Sequence, residues 1–343
     1  MSRVSAILMA TMLAALAGCA PATPTAVPPP VTVPTTADDR QGPDEVRVYT
    51  DGGAATSAIV GAMRSARATL DAEIYELGRP DIIEAMTAAV SRGVRVRVVG
   101  DPTVDVTSVS GRRLAMAGAE VTYYPVGPRQ IDHVKLLVVD ARVAYFGGVN
   151  WGAHSYLNRD YEVRMLGPAV QHLSRLFALD MNRSGRQVAI PPAPPVAPGE
   201  PEILTSNPDD DIGRAVLAAL ASATRSVVVE SFVLTDRGTI AALMDARHRG
   251  LFVRVLFDPG QDLNQSAMAQ LRSAGIACRF YRSSGEKLHA KTAVIDGNVL
   301  VIGSANWTAS GFRHNHELDT LLHSATLAAA VRLRMDQRWA AAA

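Results

Sequence analysis

Two apolar rhythms alternate along this chain. Short β-rich runs such as Arg95-Val96-Arg97-Val98-Val99 and Phe252-Val253-Arg254-Val255-Leu256 read as strands. Between such runs, apolar residues recur at three- and four-residue spacing, as at Ile82, Ile83, Ala85, Met86, Ala89 and Val90, and again at Ile240, Leu243 and Met244; these read as amphipathic helices. Gly93 and Gly250 follow the two helices, where a left-handed C-terminal residue is favoured. A last amphipathic helix is expected over 325–339. Strands alternating with helices predict an α/β fold with a mainly parallel or mixed sheet. The pattern is also written twice. Ala72-Glu73-Ile74-Tyr75 matches Val229-Glu230-Ser231-Phe232, and 95–102 matches 252–259, at an offset near 157. Two similar lobes, 44–185 and 201–343, are therefore expected, related by a pseudo-twofold axis. The Pro-rich stretch 186–200 would join them as a semi-rigid connector.

The chain begins differently. Arg3 precedes an apolar run, Val4 to Leu16, too short to span a bilayer. It ends in Leu16-Ala17-Gly18-Cys19, which resembles the bacterial lipoprotein cleavage box. That resemblance implies an export signal over 1–19, cleavage before Cys19 and lipid on its thiol. The protein would then be an exported, membrane-anchored lipoprotein on the outer side of the cytoplasmic membrane or in the periplasm or cell envelope. Residues 20–43, with Pro28, Pro29 and Pro30 in sequence, read as an extended tether.

Composition narrows the function. The chain has 343 residues, 48% of them hydrophobic, and a formal net charge of +1, so no global positive field recruits nucleic acid. Aromatic residues make up only 5%, few for stacking bases. Cys19 and Cys278 are the two cysteines, which excludes a disulfide framework or a cysteine-rich metal site; Cys278 reads as a buried structural thiol.

One phrase occurs once in each lobe. His133, Lys135 and Asp140 are followed by Gly147, Gly148 and Asn150; His289, Lys291 and Asp296 are followed by Gly303, Ser304 and Asn306. A proton-carrying imidazole, a cation and an amide recur in the same order, the equipment for holding and attacking a phosphoryl group. Residues two apart on a strand face the same side, so each His and its Lys point together, and the following hairpin returns the Asn to the same edge. Asp140 and Asp296 fall at the hairpin turns, where strand geometry makes them turn-stabilising. The small pairs Gly147-Gly148 and Gly303-Ser304 would let an anion approach the backbone.

The doubled H-x-K-x4-D segment with its trailing G-[GS]-x-N resembles the phospholipase D superfamily over about 44–322. The resemblance implies one site at the lobe interface, without metal or cofactor, containing both motifs: His133, Lys135, Asp140, His289, Lys291 and Asp296. One histidine, His133 by analogy, would form a phosphohistidine while His289 serves as general acid and base. Lys135, Lys291, Asn150 and Asn306, with Ser304 and Gly148, would hold the phosphoryl oxygens. Glu162 and Glu317 follow their histidines by 29 and 28 residues, and each would orient an imidazole. Of the remaining histidines, His172, His248 and His323 read as solvated, while His154, His314 and His316 fall near the inferred cleft. A metal site at His314, His316 and Glu317 is not expected. The expected activity is hydrolysis of phospholipid head-group phosphodiesters. The alternatives are phosphatidyl transfer of the cardiolipin-synthase kind, an endonuclease, since 303–308 with Asn315 and Glu317 looks like that branch, and a binding module keeping only the fold.

Overall fold

The computed structural model describes residues 34–195, 199–207, 210–282 and 285–342. The expected signal segment, Cys19 and the tether as far as residue 33 lie outside the described residues. The last part of the expected tether is instead a strand: β1 (Thr36–Gln41) pairs antiparallel with β2 (Asp44–Tyr49).

The first lobe continues with α1 (Gly52–Ser65), β3 (Thr69–Ile74), α2 (Pro80–Ser91), β4 (Arg95–Gly100), α3 (Asp105–Met116), β5 (Glu120–Tyr123), β6 (Lys135–Val139), β7 (Val143–Gly147), β8 (Glu162–Leu166) and α4 (Ala169–Arg183). The second repeats the order with β9 (Glu202–Thr205), α5 (Asp211–Ser222), β10 (Ser226–Ser231), α6 (Arg237–His248), β11 (Phe252–Phe257), α7 (Asn264–Ser273), β12 (Ala277–Phe280), β13 (Lys291–Ile295), β14 (Val299–Gly303), α8 (Ala309–Arg313), β15 (Leu318–His323) and α9 (Ala325–Ala341). The sheets run β1-β2-β8-β7-β6-β3-β4-β5 and β12-β11-β10-β13-β14-β15-β9. Each is mixed: three strands joined by helical crossovers are parallel, and the hairpin strands are antiparallel. Gly93 and Gly250 take φ of 84° and 90°, the left-handed ends that the pattern called for.

Burial explains the layering. α1 and α2 cover the outer face of the first sheet through Ile59, Met63, Ile82 and Met86, all within its apolar cluster. α5, α6 and α7 cover the second sheet in the same way. A third cluster is shared by both lobes: Leu136, Val138 and Phe146 pack in one core with Val294, Leu300, Ile302 and the α4 and α9 residues Phe177 and Val331. This common core fixes the two sheets against each other. Cys278 is buried, and burial pushes its thiol up to about 12, which makes it the inert thiol expected.

The hairpin turns show what the motif aspartates do. Asp140 and Ala141 have φ of 53° and 50°, and Asp296 and Gly297 have 52° and 74°. The Asp140 carboxylate accepts from the backbone N–H groups of Arg67, Ala68 and Thr69 at the start of β3; Asp296 accepts from Thr224, Arg225 and Ser226 at the start of β10. Both therefore stand at the far ends of β6 and β13 from the histidines, outside the site, and they stitch the hairpin to the neighbouring strand. Their place among the catalytic residues is corrected accordingly. Asp296→Ala should cost about 1–2 kcal/mol, as loss of a helix cap does. Thermal denaturation should register it, while turnover of the folded variant stays within about twofold of wild type.

Candidate active site

Each motif histidine stands just before a strand buried along its whole length, β6 or β13. Lys135 and Lys291 open those strands, and each Nζ donates to the carbonyl of its own histidine at 2.5 Å. An aromatic ring closes each pair. Tyr75, just beyond β3, meets His133 edge-on at 4.8 Å with Lys135 Nζ at 5.2 Å from its ring centroid. Phe232, just beyond β10, meets His289 at 4.6 Å with Lys291 Nζ at 5.0 Å. These two aromatics were missed as site residues, although the repeat had already aligned them.

The lobes exchange their carboxylates. His133 Nδ1 donates to Glu317 of the second lobe at 2.8 Å, and His289 Nδ1 donates to Asp160 of the first at 2.6 Å. Backbone bridges set up both contacts. The His133 N–H donates to the His316 carbonyl at 2.7 Å, and the His289 N–H to the Arg159 carbonyl at 2.9 Å. So Glu317 orients an imidazole as expected, but the one from the other lobe. Glu162 does not; Asp160 takes that part. Glu162 pairs with Gly147 in the sheet as Asp319 pairs with Gly303, so Glu162 corresponds to Asp319 and Asp160 to Glu317. The copies are offset by 156 at the histidines and by 157 at this pair, so spacing alone does not fix the pairing and the sheet register does.

The small residues have a different use from the one expected. A Cβ on Gly148 would lie 2.1 Å from Asp160 Oδ1, and one on Gly303 would strike Asp319. These positions make room for the protein's own carboxylates. Ser304 likewise donates its hydroxyl to Glu317 at 2.6 Å, joining Asn315 Nδ2 at 3.0 Å. Gly148 and Ser304 thus position carboxylates rather than phosphate. Asn150 and Asn306 remain candidates through their Nδ2 donors, the groups able to meet a phosphoryl oxygen; each Oδ1, an acceptor, is buried without a hydrogen-bond partner. Asn150 shares an open cleft with His289 and Phe232, and exposed His154 and Lys287 stand there too. His316 is buried away from it.

Charge is dense and buried here. Burial drives Lys135 down to about 7, with repulsion from Lys291 adding to the shift, and Lys291 to about 8, with Asp160 and Glu317 opposing it. Burial, reinforced by Lys291, lowers His289 to about 4; His133 is lowered by burial too, but Glu317 opposes the shift. Burial pushes Glu317 upward, yet His133, Lys135 and Ser304 outweigh it and hold it at about 2. Burial raises Asp319 to about 7 and Glu162 well above the carboxylate range. Each imidazole can thus begin neutral, facing two cations able to meet a phosphoryl anion.

Similarity to known proteins agrees with this geometry. A family model described as "Cardiolipin synthase, PLD-like domain" matches twice, over residues 59–180 and 216–339. The chain belongs to this family of the phospholipase D superfamily. It is 26% identical over 325 residues to the major cardiolipin synthase ClsA of Bacillus subtilis, covering 83% of this chain and 67% of that one. It is 28% identical over 275 residues to cardiolipin synthase B of Escherichia coli K12, covering 70% of this chain and 66% of the relative. Among solved structures, phosphatidylserine synthase of Haemophilus influenzae superposes with a TM-score of 0.65 at 12% identity over 85% of each chain, a likeness of fold.

Proposed function

We propose that the protein transfers a phosphatidyl group from one phospholipid to an alcohol acceptor through a phosphohistidine. The observation that carries this reading is the pair of imidazoles, each held by a carboxylate from the opposite lobe and each beside a lysine. His133 is assigned as nucleophile, because Glu317 is fixed by three donors and holds the Nδ1 proton, leaving Nε2 free. His133 Nε2 attacks phosphorus, the bond to the leaving alcohol breaks, and His289, which takes up a proton as the phosphoryl anion binds and raises its pKa, gives that oxygen its proton. His289 then takes a proton from the acceptor hydroxyl, whose oxygen attacks phosphorus and releases His133. The lysines and Asn150 or Asn306 stabilise the phosphoryl oxygens.

Transfer is preferred to the expected hydrolysis because relatives that share 83% and 70% of this chain are cardiolipin synthases. A lipid substrate is supported by the cleft mouth, where apolar Val106 and Leu157 are 40% and 41% exposed beside Lys287. Among the described residues no helix is long and apolar enough to cross a membrane. We propose the Cys19 lipid as the anchor; intact mass of the mature N-terminal peptide tests it. Vesicles of phosphatidylglycerol test the reaction. Diphosphatidylglycerol with free glycerol is the expected product; phosphatidic acid alone would mean that water is the acceptor. Cleavage of single-stranded DNA without lipid turnover would reject the lipid reading.

The pH profile follows from the lysines and the general acid His289. Their protonated form is the working one, so activity falls as pH rises. For the free enzyme, kcat/KM should already decline above about pH 4 as His289 loses its proton, and more steeply from about pH 7 as the lysines follow. Bound phosphate raises the lysine pKa values, so kcat should hold to higher pH. A kcat/KM flat to pH 9 (about two units above the lower lysine) would contradict this.

A further inference from the structure

Beside the His133 edge lies a cluster of ionisable groups that phosphoryl transfer does not use. Glu73 on β3, Asp180 on α4 and His316 before β15 are 1%, 3% and 2% exposed. His316 Nε2 lies 3.4 Å from Glu73 Oε1 and 3.2 Å from Asp180 Oδ2, and all three atoms fall within 4.8 Å of one another. Its Nδ1–H donates to the Asn207 carbonyl at 3.0 Å, and its ring stacks on Tyr124 at 4.3 Å.

Three buried carboxyl groups crowd one imidazole. Asp132, 0% exposed, belongs to the same electrostatic cluster, and burial holds its carboxyl well above the usual range, while burial and Asp180 raise Glu73 to about 7. Arg183 donates to Asp180 Oδ1 at 2.7 Å. Glu73 Oε1 and Asp132 Oδ2 are buried without a hydrogen-bond partner. The second lobe treats the corresponding glutamate differently: Glu230 is met at 2.6 Å by the full positive charge of Arg338. Glu73 thus lacks the guanidinium that its counterpart has, and a bound cation in place of protons would neutralise the crowded carboxyl groups.

We propose that Glu73, Asp180 and His316 form a structural site for a first-row divalent cation, zinc foremost. Tetrahedral bonds of about 2.0–2.1 Å place neighbouring ligand atoms roughly 3.3 Å apart, which the two imidazole–carboxylate separations match. A ring N–H donated to a carbonyl from the other nitrogen is the usual support of a metal-bound histidine. The ion would join the first lobe, through Glu73 and Asp180, to the second, through His316. It would fix the segment that presents Glu317 to His133 without touching the phosphoryl group.

The test uses the tag-free full chain, dialysed against zinc chloride and then metal-free buffer. Elemental analysis should find about one zinc per chain in wild type and almost none in E73Q or D180N. Zinc should raise the melting temperature of wild type alone, and cobalt should give visible ligand-field absorption. Wild type without zinc or a cobalt spectrum would show that protons alone neutralise the cluster. Variants retaining a full equivalent would place the ion elsewhere; either result overturns the site. Should E73Q fail to fold, D180N decides.

Discussion

H289N and H133N should each lower kcat at least roughly 10⁴-fold, the scale seen when a member of a nucleophile–base pair is lost. The two act in one reaction sequence, so the double variant should be no slower than the worse single one. Labelled phospholipid separates the roles. Brief incubation, quenched at alkaline pH, should leave label on His133 in H289N, and none anywhere in H133N. Label on His289 instead would reverse the roles. Turnover within about tenfold of wild type in either single variant would overturn the mechanism.

Glu317→Gln comes next, with an expected loss of roughly 10³–10⁴-fold in kcat, because an amide in place of the orienting carboxylate selects the wrong imidazole tautomer. Asp160→Asn should do the same to His289. Glu162→Gln is the control. Burial already holds Glu162 protonated, so the amide is close to its working state, and a loss under about tenfold is expected. Steady-state kinetics on variants matched for melting temperature will show the order. An inactive E162Q beside an active E317Q would restore the pairing within each lobe.

The doubled motif made much of this site readable before any coordinates. His133, Lys135, His289 and Lys291 stand together as strand periodicity requires, and the offset between copies announced two related lobes. What stayed hidden needed three dimensions. Spacing along the chain paired Glu162 with Glu317, because 29 and 28 residues look alike; only the sheet register, Gly147 against Glu162 and Gly303 against Asp319, separates Asp160 from its neighbour. Asp140 and Asp296 are a different case: the family resemblance grouped them with the histidines, while strand geometry alone already placed them at the turn, where a strand of five residues carries them. No periodicity shows that Gly148 empties a space for a carboxylate from its own lobe. Nor does any reveal that His316, next to Glu317 in sequence, points into a different buried cluster.

Because each imidazole is steered from across the interface, neither half owns a finished catalytic unit. A lobe expressed by itself would keep its own histidine and lysine but lose the tautomer that makes them useful. Gradual loosening of the seam in denaturant should therefore silence both histidines together, before either sheet begins to melt.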